Sequence, residues 1–168
     1  MTEDANWPAN LNELLDLIDQ QWSALMETIA PLTDQQITAA PPGAWSVKDN
    51  LAHVAAWERF LLLHHLQGQP PHQVLDIEAE VFEALDEDAQ NALIFARRKD
   101  RSVEEVLEEL ERTHAEVLTH LQRITFADLM QPCYADDPTN RPLIDAVAGN
   151  TYEHYQEHRI SIAELIRA

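Results

Sequence analysis

Cysteine is nearly absent: one of the 168 residues, Cys133, carries a thiol. A single thiol excludes an internal disulfide and any thiolate-only zinc site, and it suits a reducing compartment. Glycine is almost as rare, with three residues. No P-loop, dinucleotide fingerprint or G-x-S-x-G elbow occurs. Positive charge is scarce as well, since 11 Lys and Arg stand against 30 Asp and Glu, a net charge of −19. So acidic a surface repels phosphate backbones and anionic lipid headgroups, and neither nucleic acid nor membrane is expected as a partner. No apolar run approaches the roughly 18 residues of a membrane span. The opening MTEDANWPAN lacks the basic and apolar blocks of a signal peptide. These absences predict a cytoplasmic protein.

What is present is helical periodicity. The length fits one domain over 1–168 with a substantial core. From Leu11 the apolar residues run Leu14, Leu15, Ile18, Trp22, Leu25, Ile29 and Leu32, one stripe down a helix. Pro31 ends it, and Thr33-Asp34-Gln35-Gln36 reads as a capped short turn. A second helix starts at Ser46, with Asp49 three residues on, and continues to about Leu66. It is apolar on most of its circumference between Leu51 and Leu63, interrupted by His53, Glu58 and Arg59. A third helix opens with the capping box Ser102-Val103-Glu104-Glu105 and carries the stripe Val103, Leu107, Leu110, His114, Val117, Leu121, Ile124. A loop with Pro132, Pro138 and Pro142 leads to a last helix from about Leu143 to Arg167.

No segment alternates with period two, and no Asn-Gly or Asp-Gly hairpin occurs. The fold expected is therefore all-α, a four-helix bundle. The connection from Pro70 to Arg101 is long enough to cross the bundle, and its spacing suggests one or two short helices. Helices two and three would then run parallel, in up-down-down-up order.

Two of the eight histidines, His154 and His158, stand four apart in Thr151-Tyr152-Glu153-His154-Tyr155-Gln156-Glu157-His158. On a helix that spacing puts both rings on one face, within reach of one metal ion. They share the stripe of Val147, Thr151, Ile162 and Leu165, so they should face the core, where unpartnered polar groups cost roughly 1–3 kcal/mol each. A metal would satisfy both, as would hydrogen bonds across the bundle. His53, on the apolar face of the second helix, could meet them at one level, giving three imidazoles and an open position. Zinc sites in enzymes use that arrangement, and nickel or iron can occupy it.

Other residues carry weaker signals. His114 lies on a core seam, as a fourth metal ligand, as a group facing the substrate or supporting the ligands, or as a buried polar residue. Asp49 could orient His53 or cap its helix. Glu58 is a candidate general base, with a solvated role as the alternative, and Tyr155 is a candidate proton donor or a packing residue like Tyr152. His64, His65 and His72 read as surface. Cys133 has no basic neighbour in sequence to activate it.

Taken together, Trp45-Ser46-Val47-Lys48-Asp49, Leu51-Ala52-His53-Val54, Trp57-Glu58 and the closing Gly149-Asn150-Thr151-Tyr152-Glu153-His154-Tyr155-Gln156-Glu157-His158-Arg159 resemble the DinB/YfiT-like superfamily. Arg101-Ser102-Val103-Glu104-Glu105-Val106 is also typical of its ClbS/DfsB-like branch. The likeness runs from Leu11 to Ile166. It implies a four-helix bundle of up-down-down-up order, often dimeric, and a divalent ion held by residues matching His53, His154 and His158. It also implies either thiol-dependent transferases and isomerases or self-protection proteins that hydrolyse or sequester a reactive metabolite.

The function expected is that of a metal-dependent enzyme. A divalent transition ion, zinc or nickel, would activate water or a low-molecular-weight thiol against a small electrophilic metabolite, in a hydrolase or thiol S-transferase reaction assisted by Glu58 or Tyr155. The alternative is a binding protein that sequesters a small metabolite without turnover. A homodimer is expected in either case.

Overall fold

The computed structural model describes residues 7–133 and 139–167; the opening MTEDAN and Pro138 of the expected proline loop lie outside the described residues. Helices α1 (Leu11–Ile29), α3 (Val47–Phe60), α7 (Val103–Leu121) and α10 (Tyr152–Arg167) form the trunk. Each of the first three begins on a cap written in the sequence. The Asn10 side chain accepts from the amide of Glu13, and Ser46 and Ser102 form complete capping boxes with Asp49 and Glu105. Asp49 is thus a capping residue. The short α2 (Asp34–Thr38) likewise starts on a Thr33–Gln36 box.

The trunk packs as α1 on α10 and α3 on α7, with α3 also against α10. Leu14, Ile18, Leu25, Leu51, Val54, Leu110, Val117, Tyr155 and Ile162 meet inside and are fully buried. Cross-helix contacts set the directions. Lys48, buried at the start of α3, donates from Nζ to the carbonyls of Lys99 (2.5 Å) and Arg101 (2.9 Å), just ahead of α7. Farther along the same pair, Glu58 reaches His114. The two helices start together and advance together, so they are parallel. Asn50 meets His158 and His53 meets His154, which makes α10 antiparallel to α3.

Parallel neighbours need a long crossover, and Gly68 to Arg101 supplies it as α4 (Pro71–Val74), α5 (Ala79–Ala84) and α6 (Glu87–Arg98). That is more helix than the spacing suggested. Ile94 and Leu75 from the crossover seal a second apolar cluster with Ala56 and Phe60 of α3. After α7 come α8 (Phe126–Leu129) and α9 (Leu143–Asn150). Among the described residues there is no strand, only an isolated bridge between Pro132 and Pro142, and no helix is long and apolar enough to cross a membrane.

Two helices differ from the sequence expectation, and both differences lie beside the histidines. The second trunk helix does not stay α-helical to Leu66: Leu61–Leu66 is a π-helix. The last helix is broken at Thr151 (φ −127°, ψ −107°), where the buried hydroxyl donates to the carbonyl of Val147 at 2.6 Å. That internal bond offers the backbone an alternative to the regular ladder, the usual way a threonine bends a helix.

Candidate metal centre

The three histidines meet. His53 of α3 and His154 and His158 of α10 offer ring nitrogens that all lie within 4.8 Å of one another. Ring centroids are 5.0 Å apart for His53 and His154, 4.7 Å for His53 and His158, and 4.5 Å for His154 and His158. The Nε2 atoms of His53 and His154 face each other at 3.1 Å. Two nitrogens on one tetrahedral zinc, each about 2.0–2.1 Å from the ion, stand about 3.3–3.4 Å apart. The rings therefore lie close to a ligating arrangement, and an imidazole-only donor set fits zinc or nickel.

Asn50 fixes the third ring. Its amide nitrogen donates to the carbonyl of Ser46 at 2.9 Å, which turns Oδ1 toward His158 Nδ1 at 2.8 Å. With that nitrogen donating, His158 keeps its Nε2 lone pair for a ligand. The Nδ1 atoms of His53 and His154 are buried and have no hydrogen-bond partner among the described residues.

All three rings are held neutral, the form that binds metal. Burial lowers His53 to about 3, with the charge of His158 adding to it. His154 drops to about 2, chiefly through burial and then through His158 and His53. His158 drops to about 4 through burial.

The cluster opens on a cavity of about 650 Å³, within the range of small-molecule sites. Trp45 and Trp57 wall it beside His53, with ring centroids 5.0 and 6.3 Å from the imidazole. Trp57 is pinned by its Nε1–H to Asn91 Oδ1 of α6 at 2.9 Å. Glu87, Asp145 and Glu157 supply acidic groups, and among the described lining residues Arg141, 3.4 Å from Asp145, supplies a guanidinium.

Glu58 and Tyr155 lie elsewhere. Both are fully buried in the trunk and neither lines the cavity. Tyr155 donates its hydroxyl to Glu58 Oε1, and His114 Nδ1 lies 3.3 Å from that same oxygen and 3.1 Å from the tyrosine oxygen. Trp22 of α1 stacks on His114 with centroids 3.7 Å apart and planes 3° from parallel. One network therefore ties all four trunk helices together behind the metal candidates. Burial holds the Glu58 carboxyl above its usual range against the opposing pull of His114 and Tyr155. His114, one of the alternatives open from sequence, is a buried bonded residue outside the cluster of three.

Two residues read from sequence as uninvolved line the cavity. His65 is not a surface group: burial, aided by the charge of His64, lowers it to about 4. Cys133, with no basic neighbour along the chain, has one in space, His65 Nδ1 at 3.4 Å. Nothing in the linear pattern signals this pair. In a continuous α-helix His65 would sit about a third of a turn off the His53 face. The wider π-turns take up that excess, a distortion often found at functional sites.

A family model for the DinB superfamily matches residues 17–162. The chain belongs to the DinB superfamily. No curated protein sequence matches it. Among solved structures, the DinB fold seen here is shared with the colibactin self-resistance protein ClbS in complex with a dsDNA (16% identity, TM-score 0.74, 96% of this chain and 98% of that one). It is also shared with a structure described as the sibling lethal factor precursor DfsB (16%, 0.75, 96% and 97%). A third is an uncharacterised protein from Escherichia coli UTI89 (17%, 0.70, 95% and 94%).

The ClbS complex corrects one expectation. Net charge was read as excluding nucleic acid, yet a protein of this fold is crystallised with dsDNA. The fault lies in using a whole-molecule sum where local charge decides. Four of the eleven cations here, Arg59, Arg97, Arg98 and Arg101, line one small cavity between α3, α4 and α6.

Proposed function

We propose that this DinB-superfamily chain is a metal-dependent enzyme acting on a small electrophilic metabolite, by hydrolysis or by transfer to a low-molecular-weight thiol. The observation that carries the reading is the convergence of His53, His154 and His158 at the base of an open cavity. A zinc or nickel ion in such a site supplies Lewis acidity, making a bound water or thiol nucleophilic near neutral pH.

The chain's own residues do the rest. His53, His154 and His158 present neutral nitrogens, and Asn50 holds His158 in the correct tautomer. Trp45 and Trp57 form a rigid apolar wall that keeps water from one side of the substrate. Glu87, Asp145 and Glu157 favour a substrate with positive charge or several donors. Glu58 and Tyr155 hold α3 to α10 from behind, keeping His53 in register with His154. Their proposed contribution is through that register, since neither reaches the cavity wall.

Calorimetric titration of chelator-treated protein with zinc or nickel tests the reading. One ion should bind per chain, and His53→Ala with His154→Ala should abolish binding; unchanged affinity in the double variant would overturn it.

A second reading, capture of a metabolite without turnover, is favoured by the self-resistance role stated for ClbS and by the acidic, tryptophan-lined cavity. Chelation separates the two, because it stops turnover in an enzyme and leaves ligand retention intact in a pure binder.

A further inference from the structure

The molecule has a second cavity, distinct from the first, and its chemistry is of opposite sign. It measures about 180 Å³ and lies between the end of α3, the end of α4 and the end of α6. Four guanidinium side chains line it: Arg59, Arg97, Arg98 and Arg101. Three carboxylates answer them. Asp76 lines the wall, the buried Glu109 accepts from both Arg98 (3.1 Å) and Arg101, and Glu105 lies close enough to feel the charge of Arg101. Four positive charges against three negative leave an excess of one, in a chain whose total is −19.

Part of this apparatus is structural. Arg97 donates to the carbonyls of Leu75 and Asp76 and so holds the turn after α4 against α6. Capacity remains beyond those bonds. Arg59 is exposed and makes no hydrogen bond or ion pair to a described residue. The Arg101 side chain, bonded to Glu109 through Nη1, is 40% exposed and keeps further guanidinium donors for an oxygen from outside the chain.

We infer that this cavity binds a single phosphate group. Guanidinium is the side chain whose planar fork matches phosphate oxygens in pairs. The volume corresponds to about six waters at roughly 30 Å³ each, room for one tetrahedral oxyanion and its solvent rather than for a large organic ligand. The floor of Ala56, Val74 and Ile94 is apolar, which lowers the local dielectric and strengthens the charge pairing. The phosphate can come from a small phosphate ester or from a polynucleotide backbone. One recognition chemistry serves both.

The test is a titration of the full, chelator-treated chain with inorganic phosphate at constant ionic strength, with chloride as the matched control. Chelation keeps any ion at the three histidines from binding phosphate itself. Binding should be saturable with phosphate and absent with chloride. Arg59→Gln, which breaks no contact in the fold, should weaken it about tenfold, the loss of one bond to a charged group. Arg101→Lys retains a charge for Glu109 but removes the planar fork, and should weaken binding similarly while the melting temperature of the unliganded protein stays within a few degrees. Equal response to chloride, no saturation, or wild-type affinity in both variants overturns the assignment. Adding a short DNA duplex to the phosphate-loaded protein then identifies the source. Release of phosphate supports the site with a backbone phosphate as its ligand, and retention supports it with a small ester.

Discussion

Asn50 Oδ1 lies 2.8 Å from His158 Nδ1, joining α3 to α10 at the base of the cavity. The contact reads both ends of the asparagine, since its amide nitrogen is held by the Ser46 carbonyl. Asn50→Ala should therefore weaken zinc binding about 10–100-fold, as loss of a ligand's supporting partner generally does. Asn50→Asp, which keeps the acceptor, should restore most of that affinity. Calorimetry on the two variants decides the matter, and equal affinity for Asn50→Ala and wild type would remove the orienting role.

Metal should stabilise the fold by mass action. Zinc at a hundred times its dissociation constant adds about 2.7 kcal/mol, visible as a rise in melting temperature. The rise should vanish in the His53→Ala, His154→Ala double variant. A rise of the same size in that variant would place the bound ion elsewhere.

Acid should destabilise the metal-free protein. His53, His154, His158 and His65 are lowered to about 3, 2, 4 and 4 by burial, whereas an unfolded histidine titrates near about 6.5. Below that value the unfolded chain binds more protons than the folded one, so stability falls as pH drops. Each fully shifted ring contributes up to about 1.4 kcal/mol per pH unit. Glu58, held above its usual range, acts in the opposite sense, its contribution being largest in acid and lost as pH rises through its folded value. The imidazoles dominate between about 6.5 and 4. Melting curves from pH 7.5 to 5 should shift downward, and less steeply in His154→Leu. Parallel curves for the variant and wild type would refute this.

The network behind the site makes a separate prediction. Glu58→Ala leaves His114 and the Tyr155 hydroxyl without their shared acceptor in a fully buried place and should cost about 3–5 kcal/mol. Tyr155→Phe should cost roughly 1–3 kcal/mol. Urea unfolding measures both. If instead Tyr155→Phe abolished turnover at unchanged stability and unchanged metal affinity, the tyrosine would be a proton donor rather than a positioning residue.

Much of this was legible in the linear pattern because it is local or periodic. Caps at Ser46 and Ser102 are three-residue signals, and the stripes through Leu14, Ile18 and Leu25 and through Leu110, Val117 and Leu121 follow the helical repeat. His154 and His158 are neighbours on one helix, so their pairing is also local. His53 needed the bundle order to bring it near. What escaped depends on contacts between distant segments: Asn50 rather than Asp49 beside a clustered histidine, His65 beside Cys133 across 68 positions, and Glu58 turned into the trunk. The π-turns at Leu61–Leu66 and the break at Thr151 have no compositional mark. Nor does total charge reveal that cations are concentrated around one small cavity.

The crossover between parallel α3 and α7 separates two tasks within the chain. His53 sits on α3, most of whose residues are buried in packing, whereas Glu87 and Asn91, which line the larger cavity, belong to α6. Ile94, Asn91, Arg97 and Arg98 anchor α6 to its neighbours, and Glu87 at its start is exposed. Exchanging Glu87 would therefore change what the cavity admits while the packing that brings the three histidines together stays as it is.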